Sequence, residues 1–175
     1  MEHIFRHTLL GLLSFPSSTL LDVPRMLLDK EFREGTYSYI TDPQVKAFFK
    51  AEFDKYTPTF RMEAVSPILN KVGHFLANPW LRKILGRYEN DLQMRKIMDE
   101  GKIFLANLSR GTLGEDSSAL LGALLLSQVE LAALSRADIP EEERRDFYLF
   151  VDEFSHFATE SFVGMLSEAR KYALN

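Results

Sequence analysis

Five apolar residues, Phe147-Tyr148-Leu149-Phe150-Val151, run directly into two adjacent carboxylates, Asp152 and Glu153. A run this short, rich in aromatic residues and flanked by charge, predicts a buried strand. A buried strand that stops on Asp-Glu delivers one acid to a metal ion and the other to a water molecule. The same pattern also describes an ordinary strand that leaves the core at a charged turn, and the run alone leaves both readings open.

The sequence around this run has an alternating character. Lys102 to Leu108 is a second short apolar run, bounded by Gly101 and by Ser109-Arg110-Gly111, and predicts another buried strand. A glycine-marked loop, Gly111 to Gly114, leads into a long apolar helix expected from about Asp116 to Ser135. Ser117, Ser118, Ala119, Gly122 and Ala123 on its early turns allow close packing on a sheet. Asp138-Ile139-Pro140 and the charged residues to Arg145 form a solvated connector. After the 147–151 strand, a helix is expected over Thr159 to Leu174. Strand, helix, strand, helix predicts an α/β segment over 99–175.

Residues 1–98 read differently, as a small all-α subdomain. Leucines follow Ile4 at helical spacing until Ser14-Phe15-Pro16-Ser17-Ser18 ends the first helix. Asp22 before Pro24, Asp29, Asp42 before Pro43, Asn78 before Pro79 and Asp91 are expected N-caps. Val45, Phe48, Phe49 and Phe53 carry the helical period after Pro43. Pro67 should kink or break a helix over 60–76. Trp80 is expected to anchor a core.

The 175 residues, 46% of them apolar, can fill one domain or two small ones. With no cysteine in the chain, disulfides, thiolate zinc sites and cysteine nucleophiles are excluded. A net charge of −4 does not advertise nucleic-acid binding by the chain as a whole. No apolar run approaches the ~20 residues of a membrane span, and the first residues lack the layout of a signal peptide. The expected location is cytoplasmic.

Several motifs resemble one family. Asp99 to Gly111, then Gly114-Glu115-Asp116 and Ser118 to Gly122, resemble the interior of FtsK/HerA-type motor ATPases, closest to the TraG/TraD-like coupling ATPases of conjugation and type IV secretion. Phe150-Val151-Asp152-Glu153-Phe154 then resembles Walker B, and Ser167 to Lys171 follows in the family's order. Asn70-Lys71-Val72-Gly73 with Asn78-Pro79 resembles the helical segment preceding these motifs. The likeness is strong over 99–175 and weaker over 1–98. It implies a partial RecA-like P-loop ATPase segment after the all-α subdomain, so the expected fold class is α-rich α/β.

The resemblance implies that Asp152 is the metal-side acid for Mg²⁺ and ATP, and Glu153 the catalytic carboxylate. It implies a homo-oligomeric ring, expected to be a hexamer, that moves DNA through its pore and works beside membrane-associated secretion machinery. Arg170 matches the family's arginine finger, offered to a neighbouring subunit. On a helix from Thr159 it would lie about 16 Å along the axis, carried away from its own Asp152.

The phosphate-binding loop is missing. Walker A needs G-x-x-x-x-G-K-[ST], whose amides and lysine cradle phosphates. Gly101-Lys102 is the only Gly-Lys pair, but Lys96 stands five residues before Gly101 and Ile103 replaces the hydroxyl. The chain is therefore expected to be an internal piece of a longer ATPase and not to hydrolyse ATP alone. The competing reading is a non-catalytic helical interaction module that binds DNA or partner proteins.

Other candidates are weaker. His3 and His7 share a helical face but suggest a surface or core role before a metal site. Ser109 to Thr112 could offer amides to an anion, against repulsion by Glu115 and Asp116. Arg82, Lys83, Arg87, Arg95 and Lys96 form a local basic stretch diluted by Glu89, Asp91 and Asp99. His156 follows Glu153 closely without an assigned role.

Overall fold

The computed structural model describes residues 1–89, 91–154 and 169–175. The chain divides into two compact units, Met1–Glu89 and Asn90–Asn175.

The first unit is helical throughout. Helices α1 (Glu2–Leu13), α2 (Val23–Leu28), α3 (Lys30–Thr36), α4 (Pro43–Ala47), α5 (Pro58–Ala77) and α6 (Pro79–Leu85) enclose one apolar core. Their starts are chemically specified. Asp29 accepts from the Phe32 amide at 3.0 Å, Asp42 from Gln44 at 2.8 Å and Asn78 from Trp80 at 2.9 Å. Each side chain satisfies an amide that the first helical turn leaves without a partner. Asp22 acts one step earlier than expected. It accepts from the Thr19 amide while the Thr19 hydroxyl accepts from Leu21, a capping box on a 3₁₀ turn before α2.

The core is aromatic. A π-helical turn, Phe48–Glu52, follows α4 and turns Phe48 and Phe49 inward, with Phe53 just beyond; the rings of Phe49 and Phe53 meet edge-on at 5.8 Å. Gly11 lets the backbone of α1 come close to this cluster, since an added Cβ would stand 3.1 Å from Met26 and 3.3 Å from Phe49. Arg33 lies fully buried beneath, paired with Asp54 at 2.9 Å and donating to the Met26 carbonyl. The Tyr37 hydroxyl donates to the other Asp54 oxygen at 2.5 Å. One sequence expectation fails here, and of the kink or break expected at Pro67 the break does not occur. α5 continues through Pro67. Trp80 is 55% exposed, and it is Leu81 that enters the core.

The second unit contains α7 (Met94–Asp99), α8 (Arg110–Leu113) and α9 (Glu115–Ser135). Gln93, not Asp91, occupies the N-cap of α7. Leu126, Val129 and Ala133 of α9 pack with Met94 and Met98 of α7. α9 with the turn after it is long and apolar enough to cross a membrane by length and composition, a property that buried core helices share.

The expected α/β class is overturned. Among the described residues the fold is all-α, with no sheet, so no partial RecA-like sheet is present. Both predicted strands are extended but unpaired with each other. A parallel strand is stable when neighbours take its hydrogen bonds on both edges and layers cover both faces. Here Ile103 and Leu105 are each 88% exposed and Phe150 is 90% exposed. The remaining pairing is one isolated parallel bridge, Phe147 to Leu174.

The helix expected over 159–174 falls largely on 155–168, outside the described residues. Its end is not α-helical: Ala169–Tyr172 forms a 3₁₀ turn, and Leu174 belongs to the bridge.

Candidate functional site

The two extended segments share a cavity of about 760 Å³ in the second unit. Its floor is α9, through Ser118, Gly122, Leu126 and Val129, and its sides are residues 101–110 and 145–153. Side chains alternate along the 147–151 segment: Phe147, Leu149 and Val151 pack towards the α7–α9 core, while Tyr148 and Phe150 stand outwards. Successive residues of an extended chain point to opposite faces, so the apolar run has one covered and one bare face. The other segment is tied to the floor by Ser118, whose hydroxyl donates to the Leu108 carbonyl at 2.5 Å.

The segments meet at Gly101. Its φ of 63° lies in the left-handed region, and an added Cβ would fall 2.0 Å from the Arg145 guanidinium. A side chain here would face both backbone strain and a collision. Arg145 also donates to the Glu100 carbonyl at 3.3 Å. The Lys102 ammonium, paired with Glu100, holds that exposed carboxyl below its usual range.

Asp152 and Glu153 lie at the opposite end of the 145–153 segment, in a turn just past Val151, and both border the cavity. The Asp152 carboxylate accepts from the Glu153 amide at 2.8 Å, and Glu153 has φ of 49°. This conformation is uncommon for a residue other than glycine and turns the chain sharply after the extended run. Both acids stand beyond the extended segment, so the alternation of faces along it does not govern where they point. Both are exposed.

An exposed carboxylate of this kind suits a hard cation that keeps most of its water and takes other ligands from phosphate. Asp152 therefore fits Mg²⁺. The triphosphate does not fit this chain in the same way, since its sequence offers no glycine-rich phosphate cradle. Ser109 and Arg110 also border the cavity, but Arg110 is drawn to Glu115 at 3.7 Å.

Arg170 is exposed on the 3₁₀ turn and is not among the residues that border the cavity. What sequence reasoning missed is how this turn is held. Arg136, fully buried, pairs with Asp99 at 3.0 Å and donates to the carbonyls of Tyr172 and Arg145. Arg144 donates to the Lys171 carbonyl and lies over the Tyr172 ring. Nothing in local spacing signals such contacts: the two that hold the turn's carbonyls join residues 36 and 27 apart.

The remaining candidates are dispersed. Arg95 is engaged by Asp99 and Asp138, and Lys96 by Glu100, so these members of the basic stretch are neutralised within the second unit. The Arg95 partner holds the exposed Asp138 carboxyl below its usual range. The His3 and His7 rings meet at a tilt, 4.2 Å between centroids, beside Phe48, and His7 Nδ1 donates to the His3 carbonyl. Among the described residues no three metal-ligating side chains cluster. His156 lies outside the described residues. No protein-family model, curated protein or solved structure matches the chain.

Proposed function

We propose that this chain supplies the metal- and water-handling acids of a DNA-translocating motor ATPase of conjugative transfer or type IV secretion. The observation that supports this reading is the placement of Asp152 and Glu153 together, exposed, where an extended apolar segment ends at a cavity. Mg²⁺ with ATP supplies charge neutralisation at the phosphates when bound. Asp152 would hold the cation. Glu153 would orient the attacking water and take the proton it loses. Arg170, exposed and away from the cavity, would serve the nucleotide of a neighbouring copy in a homo-oligomeric ring, near the secretion machinery at the membrane. The phosphate cradle must come from outside this sequence, so the chain alone turns over no ATP.

The test is Glu153→Gln in the assembled, phosphate-loop-containing protein. DNA-stimulated turnover should fall by roughly 10² or more while nucleotide binding is retained. Turnover equal to the parent would remove Glu153 from this role. Arg170→Ala should be rescued in mixed rings by copies that keep the arginine.

A second reading is favoured by the all-helical fold of the described residues: a non-catalytic module that binds DNA or a protein partner through its helices. It expects binding by the isolated chain that is indifferent to nucleotide and to Glu153→Gln.

A further inference from the structure

The cavity between the two extended segments has the attributes of a place for a backbone. Extended chain exposes alternate amides and carbonyls at each edge. On 147–151 one edge is already used: the Phe147 amide donates to Ala173 at 2.8 Å, the Leu149 amide to Asn175 at 2.8 Å, and the Asn175 amide to Phe147 at 2.9 Å. The tail 173–175 is thus seated along this segment through one parallel bridge. Because the period along an extended chain is two, the amides and carbonyls of Tyr148 and Phe150 face the opposite edge. The cavity is bordered by 147–151 but not by the tail, which puts it on that opposite edge. Among the described residues, neither Tyr148 nor Phe150, nor any residue from Ile103 to Ala106, makes a backbone hydrogen bond.

The chemistry of the floor and rim adds to this. Ser118 and Gly122 are small and buried, and leave room above α9 for a larger side chain from an occupant. Ile103 and Leu105 on one side, and Tyr148 and Phe150 on the other, form an exposed apolar rim. An isolated apolar ligand would cover that rim but leave two rows of peptide groups unsatisfied. An extended apolar peptide satisfies both demands at once.

We propose that the cavity is a strand-addition site, which takes an extended, apolar segment of another polypeptide and hydrogen-bonds it through Tyr148 and Phe150. The segment continues the pairing that 173–175 begins on the far edge. The segment 147–151, about 17 Å of extended chain, sets its length at about five residues. The site is independent of the nucleotide reading, since the peptide lies between the segments whereas the cation would sit at their end.

The experiment uses the full chain without nucleotide. The probe is a blocked synthetic peptide of alternating valine and leucine, flanked by lysines for solubility, beside two variants of it N-methylated at the odd or at the even amides. Expected are saturable binding of the parent peptide and at least tenfold weaker binding when N-methylation removes the donors on either edge. Hydrogen exchange should slow at least tenfold at the Tyr148 and Phe150 amides and stay unchanged at Phe147 and Leu149, which the tail already holds. Equal affinity for the N-methylated peptides would show mere filling of an apolar cavity and overturn the proposal. Unchanged exchange at Tyr148 and Phe150 would do the same. If the chain self-associates and dilution alone exposes those two amides, the occupant is a second copy and a heterologous segment is ruled out.

Discussion

The two units of this chain solve the burial problem differently. In the first, buried apolar residues from α1 to α5 close on one another, and most helix starts carry a capping side chain. In the second, α7, α8 and α9 start without a side-chain cap hydrogen bond, and four large apolar side chains of the extended segments face solvent. A unit whose apolar surface is matched internally can be read as a finished core. One with a covered and a bare face on the same extended segment is shaped for something else to lie against it.

The sharpest way to break this contrast is to damage the closed core. Phe49 is fully buried between Phe48, Phe53 and Tyr37. Phe49→Ala should destabilise the first unit by about 3–5 kcal/mol, read by urea unfolding. A loss below ~1 kcal/mol would mean that this core is looser than its packing indicates.

The second unit offers a smaller lever in Arg136. Its guanidinium replaces water for Asp99 and for two backbone carbonyls, and so ties the 3₁₀ turn to the rest of the unit. Arg136→Ala should cost about 3 kcal/mol, and hydrogen exchange at Phe147, Leu149 and Asn175 should quicken as the tail lets go. Slowed or unchanged exchange there would assign the tail's seating to the bridge itself.

Alkali distinguishes the units further. Burial first, then the hydrogen bond to Asp54, pushes the Tyr37 phenol well above its ordinary value of 10.0. Tyr56 is pushed up to about 12, by burial and then by Glu52. Between pH 10 and those folded-state values the native chain keeps protons that the unfolded chain has lost. The stability contributed by both groups is therefore whole below pH 10 and declines as pH rises further. Tyr37→Phe should cost about 1 kcal/mol at neutral pH and make the decline shallower. An unchanged alkaline slope would exclude Tyr37 as its source.

Much of the first unit was legible because its signals are local. Asp29, Asp42 and Asn78 sit two or three residues from the amides they cap, and the aromatic period after Pro43 marks the buried face. α9 was legible for the same reason, within a residue of its expected start. The two strands were not, because an apolar run states what wants to be buried and not whether a neighbour is there to bury it. Asp152 and Glu153 at the end of an extended apolar segment could be read from the run itself. The α/β class could not, since it needed pairing between segments some 40 residues apart along the sequence. The core anchor expected at Trp80 failed for a related reason: its outcome is set by tertiary surroundings that composition does not encode.

The gentlest substitution tests the comparison most directly. Phe150 is the same side chain as Phe49, in an apolar run of the kind that sequence analysis assigns to a core, yet it is 90% exposed. Phe150→Ser removes almost no native contact, so its effect on unfolding should fall within about 0.5 kcal/mol. Its effect on binding of the valine–leucine peptide should be larger, because Phe150 belongs to the exposed apolar rim that such a peptide would cover. Titration with that peptide should show weaker binding than in the parent chain, and equal affinity would take Phe150 out of the rim. A destabilisation near that of Phe49→Ala would mean that Phe150 is covered in solution, and the second unit would then be as closed as the first.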